Sequence, residues 1–383
     1  MNPSVFQHKK VLVTGHTGFK GAWLSLWLEM LGARLAGLAL APRTENDVFV
    51  LSGIGRRMQD HRGDIRDLDT VLQIFDAEQP EIVFHLAAQA LVLDGYHDPA
   101  GTFATNTQGT AHILEAIRQT PSVQAAVLVT TDKCYENKEW VYGYRETDPM
   151  GGHDPYSASK GAAELVISSY RRSFFSKENS PAIASARAGN VIGGGDWSDF
   201  RLVPDIIRAV ERGETLEIRS PKAVRPWQHV LEPLGGYLLL AEKLLESRQR
   251  FAEGWNFGPL PQGVFAVRKI ADAFFEYFRE RSEGVTRSHP LAENSEGVTS
   301  SHPLTITGWR DISDPDQPHE AGLLMLDISK AMQLLGWKPV LDFNETVHFT
   351  ADWYARYAQE NVQTLCQEQI KTYQELWKSR NEN

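Results

Sequence analysis

The chain has 383 residues, of which 42% are hydrophobic and 23% charged, with a formal net charge of −10. This is the composition of an ordinary globular protein with room for two domains, and its negative balance argues against a general nucleic-acid or anionic-membrane surface. Two cysteines, Cys134 and Cys366, exclude a disulfide framework and a four-cysteine zinc site; they fit a reducing compartment, so cytoplasm is the expected location and no metal is expected. The opening "MNPSVFQHKKVLVTG" lacks a charged-then-apolar signal pattern. No apolar run approaches the ~20 residues of a membrane span, so no membrane partner is expected.

In chain order, "KKVLVTG" (9 to 15) reads as a strand ending in Gly, and "FKGAWLSLWLEMLGA" (19 to 33) as a helix with apolar residues at helical spacing. The short apolar runs "RLAGLAL", "EIVFHLAA", "AAVLVTT" and "AIASARAG" continue as strands. Between them "DLDTVLQIFDAEQ", "PAGTFATNTQGTAHILEAIRQ" and "PYSASKGAAELVISSYRRSFF" read as helices. Strands alternating with helices imply parallel βαβ units covered on both faces. The fold class is therefore α/β, a doubly wound parallel sheet over residues 1–190, with part of 224–256 returning to it. After about residue 190 the elements shorten and Arg, Trp and Pro increase, so 191–383 reads as a smaller substrate-binding α/β domain. Within it "SEGVTRSHPL" (282 to 291) returns as "SEGVTSSHPL" (295 to 304). Two polar copies cannot form a solenoid core; the segment reads as a duplicated surface loop with His289 and His302 solvated. The final amphipathic helices are expected to pack on the body of the protein.

"TGHTGFKG" (14 to 21) sets Gly15, Gly18 and Gly21 in the spacing G-x-x-G-x-x-G between a strand and a helix. Glycines there let the backbone turn sharply and approach a pyrophosphate at the positive helix end, although such a motif alone can be an ordinary turn. Asp64 and Ile65 follow the expected third strand, where they can hold an adenine, and Asp67 is the better candidate for the next helix cap. The second strand leads into Pro42 and Arg43, where a carboxylate would mark NAD, so this position leaves NAD and NADP both open.

Of eleven tyrosines, Tyr156 alone has a Lys four residues later, Lys160, on a helix begun by Asp154 as cap and Pro155 at its first position. An ammonium near a phenol favours the phenolate and makes a general base for an alcohol. At the end of the run "AAVLV" stand Thr131, Asp132 and Lys133, where side chains of a parallel strand point into the ligand crevice. A lysine acts as a base only when neutral, and Lys133 can equally be an ion-pair partner of Asp132 or Glu136. A nucleoside diphosphate needs cations, and Arg187, Arg201, Arg219 and Arg225 lie in the second half. Trp227 and Cys134 read as core residues, and His85 as a strand-end hydrogen-bonding residue.

Taken together, "TGHTGFKG", "DIRD", "HLAAQ", "TTD" and "YSASK" resemble the extended short-chain dehydrogenase/reductases that act on nucleotide sugars. The strings "TTDKCYENKEW", "RAGNVIGGGDW" and "RPWQHVLEPLGGYL" are similar to the branch that dehydrates CDP-hexoses. The resemblance implies a Rossmann fold, NAD as cofactor, a CDP-hexose substrate and a redox-neutral reaction. In it C4 is oxidised, water leaves across C5 and C6, and hydride returns to C6. It implies that Gly15, Thr17, Gly18, Phe19, Gly21, Asp64, Ile65, Leu86, Ala87, Tyr156 and Lys160 hold the cofactor, and that Gln89, Asn190, Arg201, Arg219 and Arg225 hold the substrate. Tyr156 would take the C4 hydroxyl proton with Thr131 bonded to the same oxygen, Asp132 would be the general acid, and Lys133 would take part in C5 deprotonation. Related dehydratases carry Glu in place of Lys133. The resemblance further implies a homodimer or homotetramer built on "TAHILEAI" and "AAELVISSY", and a product destined for deoxysugars of a cell-surface polysaccharide. A 4-epimerase shares the fold and the Tyr–Lys pair but has no elimination step, so the Asp–Lys pair argues against it.

Overall fold

The computed structural model describes residues 2–260, 263–284, 307–314 and 322–381. Almost all of the repeated segment, including His289 and His302, lies outside the described residues. Seven parallel strands form one sheet: β1 (Lys10–Thr14), β2 (Arg34–Ala39), β3 (Gln59–Arg62), β4 (Ile82–His85), β5 (Ala125–Val129), β6 (Ala182–Ala188) and β7 (Gly254–Phe257). Their spatial order is β7-β6-β5-β4-β1-β2-β3, so the order reverses between β1 and β4, at the crevice where such sheets hold ligands. The strand β7 belongs to the expected return of residues 224–256 to the first sheet. The strand β3, "QDHR", is polar and largely exposed because it closes an edge.

Side chains alternate across the sheet with period two. Val11, Val13, Val127 and Val129 face one layer, with Trp23 and Trp27 of α1 (Phe19–Met30) and Leu234 and Leu238 of the helix Leu231–Ser247. Leu12, Ala126 and Leu128 face the other, with Val71 and Phe75 of α2 (Leu68–Glu78), Ile113 and Ile117 of α3 (Gly109–Gln119) and Ile167 of α4 (Pro155–Ser173). The C-terminal helix Val362–Asn381 returns to the first layer, where Tyr373 meets Trp27 edge-on with ring centroids 5.6 Å apart. Asp67 caps α2 through the Asp69 and Thr70 amides, and Asp154 caps α4 through the Ser157 amide with Pro155 behind it. Both caps are those the sequence implies.

Beyond β6 the chain covers the carboxyl ends of the strands. The helix Leu202–Arg212, the parallel pair 216–218 with 309–311, and the antiparallel pair 224–226 with 264–266 make up this cover. It is built of short pieces, as expected from the change in rhythm after residue 190. Among the described residues, no helix is long and apolar enough to cross a membrane.

Candidate active site

Between the sheet and its cover lies a cavity of about 2170 Å³. Single-ligand pockets span roughly 300–1,000 Å³, so it has room for two ligands.

Its floor is the turn after β1. Gly15 has φ 74°, and a Cβ there would lie 2.7 Å from the Ala87 nitrogen; a Cβ on Gly21 would lie 2.1 Å from the Gly15 carbonyl oxygen. Neither position tolerates a side chain. Gly18 is different, because its Cβ would meet only the Gly15 oxygen, at 3.4 Å. Gly18 is also the N-cap of α1, with no side chain capping it, so the first amides of that helix face the cavity with their positive dipole end free for an anion. Thr17, Phe19, Asp64, Ile65, Leu86 and Ala87 line the same end. The Asp64 carboxylate is bonded to Arg66, at 2.5 Å to Nη2, and this hydrogen bond holds it below the usual carboxylate range.

Two neighbours in this turn escaped the sequence reading. His16 is fully buried, bonds Asp60 Oδ1 through Nε2 at 2.7 Å, and lies so close to Gly37 that a Cβ there would be 2.4 Å from the ring. Lys20 lines the cavity, and burial, followed by the charge of Arg201, lowers its ammonium to about 7. Both stand between the glycines, where spacing alone assigns only filler.

Thr131, Asp132, Lys133, Tyr156 and Lys160 line another part of the cavity. Thr131, two residues past the end of β5, accepts from the Lys133 amide at 3.4 Å and caps residues 132–134, which form one turn of 3₁₀ helix. The Thr131 hydroxyl donates to Asp132 Oδ1 at 3.0 Å. Asp132 is only 2% exposed, and its Oδ2 has no hydrogen-bond partner among the described residues. Burial raises this carboxyl above its ordinary value, against the charges of Lys133, Arg225 and Lys20. Lys133 is half-buried in the cavity wall; the ion pair of Glu136 is with Lys138, at 2.8 Å.

Tyr156 and Lys160 share one face of α4 and both line the cavity. The Tyr156 phenol is buried. It is a weaker acid than the sequence leads one to expect, since burial, opposed by Thr131, pushes its pKa up to about 12. The Lys160 ammonium donates to the Val129 carbonyl at 3.2 Å, and burial lowers it to about 8.

Asn190, Arg201, Arg219 and Arg225 line the same cavity. Arg201 pairs with Asp196 at 2.8 Å, Arg225 is 4% exposed, and Arg219 lies over the ring of Phe200. Two expected residues are turned elsewhere. The Gln89 amide is spent in its own loop, donating to the Leu91 carbonyl at 2.9 Å and accepting from the Leu91 amide at 2.7 Å. Arg187 sits behind β5, paired with Glu164 at 2.8 Å. The His85 imidazole bonds the Thr14 and Thr110 hydroxyls, a strand-end role as expected. Trp227 and Cys134 are buried core residues.

A doubly wound sheet, a glycine turn facing an uncapped helix, and a Thr–Tyr–Lys group beside a buried acid define a dinucleotide-dependent enzyme of the extended short-chain dehydrogenase/reductase class. The comparisons narrow the class. Residues 12–350 match the sequence model of the GDP-mannose 4,6 dehydratase family, and the chain belongs to that family. It is 42% identical to the CDP-glucose 4,6-dehydratase of Salmonella typhimurium over 375 residues, 96% of each chain. It is 27% identical to a dTDP-glucose 4,6-dehydratase of Xanthomonas campestris, over 90% of this chain and 92% of that one. Among solved structures, the dTDP-glucose 4,6-dehydratase of Streptomyces venezuelae with bound NAD superposes with a TM-score of 0.70 at 22% identity, covering 92% of this chain and 99% of that one. A UDP-glucose-4-epimerase of Stenotrophomonas maltophila gives 0.73 at 21%, with the same coverage. At these identities the two structures bear on the fold alone.

Proposed function

We propose that this chain converts CDP-glucose to CDP-4-keto-6-deoxyglucose and water, with NAD as the cofactor. The observation that carries the reading is that Thr131, Tyr156 and Lys160 line one cavity with a buried carboxyl, Asp132, whose Oδ2 has no hydrogen-bond partner among the described residues. The nucleotide follows from the likeness to the Salmonella enzyme.

The glycine turn and the free amides of α1 fit a dinucleotide diphosphate, with Gly18 the point of close approach. NAD⁺ supplies the hydride acceptor, and the positive charge of its ring opposes the effect of burial on Tyr156. Tyr156 takes the proton of the C4 hydroxyl while Thr131 holds the same oxygen, and Lys160 offers its cation to the developing phenolate. The C4 ketone acidifies C5–H. Lys133 would remove that proton, Asp132 would protonate the C6 hydroxyl as it leaves as water, and Lys133 would give the proton back to C5 as the cofactor, when bound, supplies the hydride to C6. Arg201, Arg219, Arg225 and Asn190 bind the nucleoside diphosphate.

The first half of the chain with β7 serves the cofactor and the cover serves the substrate. Exposed Phe103 and Leu165, on the helical stretches 99–119 and 155–173, support a homodimer or homotetramer formed across these helices. A cytoplasmic location fits a reaction that draws on nucleotide sugars. The test is incubation with NAD⁺ and CDP-glucose, dTDP-glucose or UDP-glucose in parallel, following the 4-keto-6-deoxy product by its absorbance in alkali. Product from CDP-glucose alone is expected. A 4-epimer without keto product would overturn the reading.

A further inference from the structure

Behind the reactive turn lies a buried polar cluster that the chemistry above leaves unused. Glu164, on α4 one turn beyond Lys160, is 3% exposed. Its Oε1 accepts from the Thr130 hydroxyl at 2.5 Å, and its Oε2 accepts from the Ser185 hydroxyl and Arg187 Nη2, both at 2.8 Å. Arg187 Nη1 donates to the Tyr135 hydroxyl at 2.7 Å and to the Glu146 carbonyl at 3.1 Å, and the guanidinium lies 5.2 Å from the Tyr135 ring centroid. The Tyr135 hydroxyl in turn donates to Asn256 Oδ1 of β7 at 2.7 Å. Gly254 makes room for this arrangement, since a Cβ there would lie 2.5 Å from Arg187 Nη2.

The placement of the two anchors gives the cluster its meaning. Thr130 and Tyr135 flank residues 131–134, the turn that presents Thr131, Asp132 and Lys133. Glu164 therefore grips one shoulder of the reactive turn and Arg187 grips the other, while the two are bonded to each other. We propose that Glu164 and Arg187 are positioning residues, which clamp the turn in its reactive geometry and place a fixed negative charge one helical turn from Lys160 to keep it cationic. The inference rests on the proposed roles of Thr131, Asp132 and Lys160.

A buried ion pair is a poor source of stability, because desolvation offsets its attraction, whereas a fully bonded one fixes geometry. Here each oxygen of the cluster has a partner, and only Arg187 Nε lacks one. Burial alone would raise the Glu164 carboxyl, but the Arg187 charge and the three hydrogen bonds hold it below its ordinary value, so it stays ionised. The groups facing Lys160 come from several elements: Tyr156 and Glu164 from α4, Cys134 from the turn, His85 from β4 and Lys20 from α1. Of these Glu164 supplies the negative charge, and it is the largest influence opposing the effect of burial.

The test compares Glu164→Gln with the double variant Glu164→Gln/Arg187→Met, which leaves no unpaired guanidinium and so separates positioning from folding. The amide keeps an acceptor for Thr130 while the charge is lost. With NAD⁺ and CDP-glucose, kcat should fall roughly 10- to 100-fold in both, as expected for an error of about 1 Å in reacting groups, with KM for CDP-glucose nearly unchanged. The pH midpoint of Lys160, followed by competitive acetylation and mass spectrometry, should move to lower pH in both. A double variant that melts like the parent and keeps the parent kcat and Lys160 midpoint would overturn the proposal. The Lys160 titration needs no substrate, so a parent protein inert toward CDP-glucose would remove the proposed function while the clamp remained measurable.

Discussion

Replacing Asp132 by Asn isolates the elimination step. The side chains are nearly isosteric, the amide keeps an oxygen for the Thr131 hydroxyl now bonded to Oδ1 at 3.0 Å, and its NH₂ occupies the unpartnered Oδ2 position. Fold and substrate binding should therefore be retained, while the transferable proton is lost. A positioned proton donor contributes roughly 10²- to 10⁴-fold, and at 1.36 kcal/mol per tenfold this is about 3–5 kcal/mol of barrier. The expected result in a single turnover with NAD⁺ and CDP-glucose is rapid NADH absorbance that persists, because C4 is oxidised but water does not leave. Deuterium from solvent should still enter C5. The pH dependence has a definite sign. Burial raises the Asp132 carboxyl, so its acidic form survives to higher pH than that of a free aspartate, and parent kcat should fall as pH rises through the raised value. The variant should lack that limb. Turnover within tenfold of the parent, or failure to form NADH in a normally folded variant, would refute the assignment of Asp132 as the acid.

Lys133→Ala should abolish C5 exchange with solvent while NADH still forms, and retained exchange with normal turnover would remove Lys133 from the chemistry. Gly18→Ala should weaken NAD⁺ binding at least about tenfold, as a methyl group enters the approach to the α1 amides, with melting close to the parent. Gly21→Ala should unfold the turn itself, because its Cβ would stand 2.1 Å from the Gly15 oxygen; calorimetric titration and melting curves distinguish the two. Glu232, buried under the C-terminal helix, accepts from the Val340 and Leu341 amides and the Tyr373 hydroxyl at 2.6–2.8 Å. Burial raises its carboxyl from 4.5 to about 7. A raised folded value means stability present below pH 4.5 and lost as pH climbs toward 7, about 3 kcal/mol in all. Glu232→Gln should flatten the urea-unfolding free energy across that window.

The legible parts of the fold and site are those written in local sequence. The glycine turn, the Asp154–Pro155 start of α4 and the four-residue spacing of Tyr156 and Lys160 each constrain a few consecutive residues, and the structure places them in one cavity. Strand β3 was expected only from the place of Asp64 and Ile65 after it, because an edge strand needs no apolar run to mark it. Arg187 misled for a different reason. Its charge suggests phosphate, but its partner Glu164 lies 23 residues away in sequence and meets it only after α4 folds against β6. Gln89 likewise reads as a ligand-facing amide until its loop closes on it. Lys20 and His16 occupy variable positions of a glycine motif, and only the approach of the cover and of β2 gives them neighbours.

The electrostatics follow from the same closure. Burial penalises charge whatever its sign, so a single enclosed cavity moves its acid and its amines toward one another. Asp132 rises, while Lys20 falls to about 7 and Lys160 to about 8. The two lysines then change charge near neutral pH and the acid keeps its proton to higher pH than a free carboxyl, as an elimination needs an acid that still holds its proton and an amine able to give one up. The charge of Lys133 opposes the effect of burial on Asp132. A second carboxylate there would drive Asp132 further up and leave the cavity with one cation fewer. The charges of Lys133, Arg225 and Lys20 around this one acid thus limit how far burial raises it.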